Sequence, residues 1–165
     1  MSVDIHPIIP SSYHSTSHQL STMKLDLHYV EPRLVQLYDT DNPLGIDSDF
    51  YLQLADELDA KLICDLGCGT GLLTRKLATD NRQVFGIDPA SEMLDFAKQQ
   101  TDADRVTWIK GDASSLALHN VDLTIMTGNV AQVFLDDEDW QFTLSQISKA
   151  TKPGGTLAFE SRNPA

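Results

Sequence analysis

From Lys61 onward, short apolar runs alternate with segments whose apolar residues recur at helical spacing. KLICDL (61–66) is too brief for a helix and is bounded by glycines, so it predicts a buried parallel strand. Leu72 to Ala78 resumes the helical period, and VFGID (84–88) is a second strand. Ser91 is placed to cap a helix on which Met93, Leu94 and Ala97 share one face. VTWIKGDA predicts a third strand ending near Ile109, and VDLTIMT (121–127) is the most strongly apolar strand of the chain. The Asp-rich linker DDED (136–139) leads into a helix marked by Trp140, Leu144 and Ile147. KPGG, Lys152 to Gly155, stops that helix, and TLAFES (156–161) supplies a fifth strand.

Strands alternating with helices in this way predict an α/β fold whose mostly parallel sheet is covered on both faces. Right-handed crossovers reduce the arrangements to a doubly wound one. Ahead of it, Leu34, Val35 and Tyr38 mark a short helix with Pro32 in its first turn. Asp47 or Ser48 then caps a second helix carrying Tyr51, Leu54, Ala55 and Leu58. Residues 1–22 are rich in Ser, Thr, His and Pro and predict a flexible tail, with Met23 a candidate natural start. The organisation read from the sequence is therefore a tail (1–22), an N-terminal helical cap segment (23–60) and a ligand-binding α/β domain (61–165).

Composition narrows the partners. The 165 residues carry 24 acidic against 12 basic side chains, a formal charge of -12, which repels polyanions and argues against nucleic acid. No apolar run reaches the roughly 18 residues of a membrane span, and the first residues lack the basic and apolar regions of a signal peptide. Cys64 and Cys68 lie too close along a strand and turn for an ordinary disulfide, and no His or Cys cluster offers a metal site. Reduced thiols in a cytoplasmic protein are expected.

The chemistry concentrates between Asp65 and Gly71. Gly67, Gly69 and Gly71 alternate in a strand-to-helix turn, at the place where doubly wound sheets bind ligands, and bare backbone there suggests a close ligand. A dinucleotide fingerprint needs G-x-G-x-x-G, but the sixth position is Leu72 counting from Gly67 and Thr74 counting from Gly69. A nicotinamide dehydrogenase is thus the weaker reading. The observed pattern is D-x-G-x-G-x-G, in which Asp65 suits a cationic amino group rather than a pyrophosphate. Asp88, ending the second strand, can bind both hydroxyls of a ribose, or serve as a turn or capping aspartate before Pro89. In Gly111-Asp112-Ala113 the carboxylate can accept from the exocyclic amine of a base.

Together these residues resemble the class I S-adenosylmethionine-dependent methyltransferases, from Leu62 to Ser161. The resemblance implies a Rossmann-like sheet of order 3-2-1-4-5. It also implies that Asp65, Gly67, Gly69 and Gly71 approach the methionine part of the cofactor, and that Asp88 takes the ribose hydroxyls. Asp112 and Ala113 match the adenine side, and Met93 either packs on the base or belongs to the core. Thr127, Gly128 and Asn129 follow the fourth strand where the family places the methyl group and its acceptor; Asn129 orients an acceptor or is a polar turn residue. His119 lies near the expected site as a base or as a solvated loop residue. Tyr38, Asn42 and Tyr51 are lid candidates, since the family often places acceptor specificity in N-terminal additions.

The family's Asn/Asp-Pro-Pro-aromatic motif for adenine or glutamine amides is absent, which with the acidic charge favours a small-molecule acceptor methylated by direct transfer. The family's sheet normally continues with further strands, so the ending at Ala165 suggests a truncated chain or a fifth-strand edge covered by a partner such as a second copy. The competing reading from another class is a non-catalytic cofactor-binding or interaction module.

Overall fold

A computed structural model describes residues 26–161; the expected tail (1–22) and Met23 lie outside the described residues. Strands β1 (Leu62–Leu66), β2 (Gln83–Asp88), β3 (Val106–Lys110), β4 (Val121–Met126) and β5 (Thr151–Phe159) form one sheet in the order β3-β2-β1-β4-β5. All four pairings are parallel, as the alternating pattern predicts. The helices are α1 (Leu27–Val30), α2 (Pro32–Asp41), α3 (Ile46–Glu57), α4 (Leu72–Leu77), α5 (Ser91–Ala97) and α6 (Asp137–Ala150).

Register explains why β1 reads as an unbroken apolar run. Ile63 sits beside Val84 and Leu123 and joins a core with Tyr51 and Ala55 of α3 and Leu77 of α4. Cys64 sits beside Phe85 and Thr124 on the opposite face, where Leu66, Ile87 and Met126 pack with Ile147 and Ala150 of α6. Both faces are covered, so each large apolar side chain removed from water stabilises the fold by about 1.5–3 kcal/mol. A third cluster joins Val35 of α2 to Ala90 and Met93 at α5, with Tyr29 and Tyr38 packed against it. This contact seats the N-terminal helices beside the carboxyl ends of β1 and β2.

The helix ends differ from their sequence readings. Ser91 is the first residue of α5, not its cap; Ala90 holds the cap position, and the Asp88 carboxylate accepts from the Ala90 N–H at 2.8 Å. Helix α3 starts from Gly45, and Ser48 accepts from the Gly45 N–H at 3.4 Å from inside the first turn. DDED is no linker: Asp136 caps α6 by accepting from the Asp139 N–H at 2.8 Å, and the other three acids fill its first turn, where the helix dipole favours them.

KPGG also moves. Helix α6 stops at Thr151, whose backbone is already extended, and β5 begins there, so Lys152–Gly155 lies within the strand. Val121 pairs with Thr151 but Leu123 with Thr156, so the ladder is irregular across these four residues, with Gly154 in the left-handed region. Pro153 disfavours helical backbone at Lys152, which is why the helix ends before the motif and not at it.

Asp122 of β4 explains the lysine of that motif. Its Oδ2 accepts from the N–H groups of Lys61 and Leu62, both at 2.7 Å, while Oδ1 pairs with the Lys152 ammonium. Although desolvation opposes ionisation, Lys152 and the two N–H donors hold its carboxyl below the usual range. We expect Asp122→Ala to lower stability in urea titrations at pH 7 by about 2–3 kcal/mol, the scale of hydrogen bonds to a charged group. A depressed carboxyl stabilises above the unfolded pKa of about 3.9 and loses its effect as pH falls through the folded value, so the difference should vanish in acid.

Candidate functional site

The turn after β1 folds back on its own neighbours. The N–H groups of Gly67 and Cys68 both donate to the Ile87 carbonyl at 2.7 and 3.1 Å, that of Gly69 donates to Asp88 Oδ2 at 2.8 Å, and that of Gly71 donates to the Cys68 carbonyl at 2.9 Å. These donors are engaged inside the protein. They form no anion cradle of the kind a pyrophosphate uses, in keeping with the failed dinucleotide spacing.

The three glycines differ in what a side chain at each would meet. A Cβ on Gly71 would stand 2.2 Å from the Trp108 ring, and one on Gly67 would stand 2.3 Å from the Val130 side chain. Trp108 comes from β3, lies beside Gly86 in register, and donates its indole N–H to the Ala103 carbonyl at 2.9 Å. Gly71, in the left-handed region, therefore makes room for an indole. Only Gly69 has no atom within 4 Å of its Cβ position, so the open face of the turn is there.

Two acids flank it. Asp65 is 1% exposed; the Thr74 hydroxyl donates to its Oδ2 at 2.6 Å, and its buried Oδ1 has no partner. Burial, opposed by Thr74 and reinforced by Asp88, pushes the Asp65 carboxyl up to about 7. Asp88 serves as the turn aspartate of its second reading, since its two oxygens accept from the Gly69 and Ala90 N–H groups, and it ends β2 beside the turn. Burial raises its carboxyl despite those two bonds. An orphaned buried carboxylate oxygen, a second desolvated acid and an open glycine face fit a ligand with a cationic amino group and hydroxyl donors.

The N-terminal segment closes one side. Asp39 of α2 accepts from the Thr70 hydroxyl inside the turn, and Arg75 donates to the Thr70 carbonyl at 2.7 Å. Tyr38 is half-buried, and burial, then Tyr29, Asp88 and Asp39, raises its phenol. Asn42 caps α2 by donating to the Tyr38 carbonyl at 3.0 Å. On the far side, the Gly111 N–H donates to the Asp88 carbonyl, which brings Asp112 next to β2. Asp112 itself accepts from the Ser114 N–H at 2.8 Å and starts a 3-10 turn in which Ala113 is buried. Met93 is 1% exposed within the α2–α5 cluster, so as placed it is a core residue. Thr127 is half-buried, and Gly128, Asn129 and His119 are exposed.

Sequence reasoning missed Asp39, Trp108, Val130 and Glu160. Glu160 follows β5; its Oε1 accepts from the Gly128 N–H at 3.0 Å, and its carboxylate is hydrogen-bonded to Tyr51 of α3. A carboxylate directly after a fifth strand is a signal the sequence does carry. Cys64 and Cys68 are free, and among the described residues no group of three or more His, Cys, Asp or Glu is placed to hold a metal ion. No helix of the described residues is long and apolar enough to cross a membrane.

Residues 63–155 match the family described as methyltransferase domain. The chain belongs to that family, within the class I S-adenosylmethionine-dependent methyltransferases, whose cofactor is S-adenosylmethionine. It is 34% identical over 97 residues to a malonyl-[acyl-carrier protein] O-methyltransferase of Pectobacterium atrosepticum, covering 59% of this chain and 37% of that one. With the protein of the same name from Yersinia pestis it shares 30% over 128 residues, covering 77% and 46%. A solved TehB-like SAM-dependent methyltransferase from Corynebacterium glutamicum superposes with a TM-score of 0.63 at 25% identity, covering 78% of this chain and 72% of that one. The chain spans less than half the length of these two curated relatives.

Proposed function

We propose that this protein transfers a methyl group from S-adenosylmethionine directly to a small-molecule acceptor. The observation that carries the reading is the unpartnered, fully buried Asp65 oxygen at the base of a turn whose N–H donors are engaged elsewhere and whose Gly69 is open. In this reading Asp65 holds the cofactor's ammonium, Asp88 its ribose hydroxyls, and Asp112 with Ala113 its adenine end. Met93 supports that end from the core, beneath Val35. Gly67 and Gly71 shape the turn by admitting Val130 and Trp108.

S-Adenosylmethionine supplies a methyl already made electrophilic by its sulfonium, so the chain's own residues need only align an acceptor and exclude water. Thr127 after β4 borders the cofactor's methyl end and Asn129 lies on the acceptor side, with Tyr51 of α3 and Tyr38 of α2 closing the cap. No side-chain nucleophile is needed. The edge strand β5 supplies a route to a homodimer by strand pairing, and a cytoplasmic location is in keeping with the free thiols.

Incubation with S-adenosylmethionine and a metabolite library should release S-adenosylhomocysteine with at least one acceptor. Saturable binding of S-adenosylhomocysteine without turnover of any acceptor would instead favour the non-catalytic binding module. Asp88→Ala is expected to weaken S-adenosylhomocysteine binding more than tenfold in calorimetry, since losing a hydrogen bond to a charged partner costs about 1.5–3 kcal/mol. Unchanged affinity would remove the ribose assignment.

A further inference from the structure

Glu160 is held by three separate parts of the chain. Its Oε1 accepts from the Gly128 N–H at 3.0 Å, its carboxylate is bonded to the Tyr51 hydroxyl, and its own carbonyl accepts from Gln132 Nε2 at 3.5 Å. These contacts come from the β4 turn, helix α3 and the short 3-10 turn Val130–Gln132. Its carboxylate is therefore directed into the carboxyl edge of the sheet, against the β4 turn. Gly128 has left-handed backbone and no atom within 4 Å of its Cβ position, so open space adjoins the residue on which the Glu160 carboxylate rests.

The pair has a defined polarity. Tyr51 is 4% exposed, and burial, followed by the negative charge of Glu160, raises its phenol, so its hydroxyl stays protonated and donates. Glu160 receives two donors and serves as an acceptor. Among the described residues no lysine or arginine pairs with it. A carboxylate without a cationic partner, next to open space, attracts a ligand group that brings a hydrogen or a positive charge and repels another carboxylate.

We propose that Glu160 determines the charge class of the methyl acceptor, selecting a group that presents a donor hydrogen, an amine, ammonium or hydroxyl, and rejecting carboxylates. This rests on the methyltransferase reading and deepens it. Glu160 acts through binding, and no covalent step is assigned to it.

The test uses the full chain saturated with S-adenosylhomocysteine and matched probes of one skeleton, benzylamine against benzoate and phenethylamine against phenylacetate. Ligand-observed NMR titrations should show the amines binding at least tenfold more tightly than their carboxylate partners. Glu160→Gln should reduce that ratio to less than threefold while S-adenosylhomocysteine affinity, read by calorimetry, stays within twofold. Tyr51→Phe keeps the charge of Glu160 and should retain the preference, which separates charge selection from simple bracing of the cap. Equal binding within each pair, no binding of either amine at millimolar concentration, or a ratio unchanged in Glu160→Gln would overturn the proposal. Failure of the wild-type protein to bind S-adenosylhomocysteine would overturn the methyltransferase reading on which it stands.

Discussion

Replacing Gly71 with alanine is expected to destabilise the fold by about 2–5 kcal/mol, the sum of a left-handed backbone penalty of about 1–2 kcal/mol and overpacking of about 1–3 kcal/mol. The added methyl would meet the Trp108 ring at 2.2 and 2.6 Å, and Ala97 of α5 lies behind it at 3.4 Å. The indole has little freedom to retreat. Its N–H is fixed on the Ala103 carbonyl, and its ring also fills the space over Gly86, whose Cβ position lies 2.8 Å away. Urea titrations of Gly71→Ala, Trp108→Leu and the double variant should give a coupling energy of at least about 1 kcal/mol, since residues in contact are not additive. Gly69→Ala is the control. It meets nothing within 4 Å, so only the backbone penalty applies to its stability, while cofactor binding should suffer. Equal destabilisation by both substitutions would show that Trp108 is not what requires glycine at position 71.

The second large effect concerns Asp65 and depends on pH. Its carboxyl is raised from 3.8 to about 7 in the folded protein, chiefly by burial. A raised carboxyl means that the folded state binds the extra proton, so the contribution of Asp65 to stability is most favourable below the unfolded value and falls as pH rises from about 4 to about 7. Above that window the full penalty applies, on the order of a few kcal/mol. Asp65→Asn removes the titration. At pH 8 the ligand-free variant should melt at higher temperature than the wild type, and at pH 4.5 the difference should disappear or reverse, because the new amide hydrogens lack a partner where Oδ1 stood. S-Adenosylhomocysteine affinity should move the other way, falling more than tenfold at pH 8, where the wild-type carboxylate is ionised and available to an ammonium. Stability bought by neutralising a ligand-binding acid is a familiar exchange at functional sites. A variant with the same melting difference at both pH values, or with wild-type affinity, would contradict the role given to Asp65.

Much of this was legible in the residues. KLICDL, VFGID and VDLTIMT are strands in the structure because each is buried on both faces, which leaves an apolar run readable without any partner. Asp65, Asp88 and the glycine spacing pointed to the candidate site because each lies at or just after the end of a strand that is itself readable in the sequence. What failed was whatever depends on tertiary neighbours. Nothing local to Gly71 announces that Trp108, from two strands away in the sheet, will lie against it. Ser91 looks like a cap, but Asp88 takes the relevant N–H group, and of Asp47 and Ser48 it is Ser48 that bonds to the helix start, from inside the first turn behind Gly45. KPGG reads as a stop, yet the strand starts one residue before it, with Lys152 paired to Asp122 of the neighbouring strand. Glu160 escaped notice for the same reason, since its partners Gly128 and Tyr51 are distant in sequence and meet only when β4, β5 and α3 are assembled.

In the function proposed above, the acidic turn at the carboxyl ends of β1 and β2 binds the methyl donor and not a nicotinamide dinucleotide. Parallel calorimetric titrations of the wild-type protein with S-adenosylhomocysteine and with NADH test it most directly. The account predicts saturable, one-to-one binding of S-adenosylhomocysteine and no measurable heat of binding with NADH. Saturable binding of NADH, with S-adenosylhomocysteine inert, would contradict it.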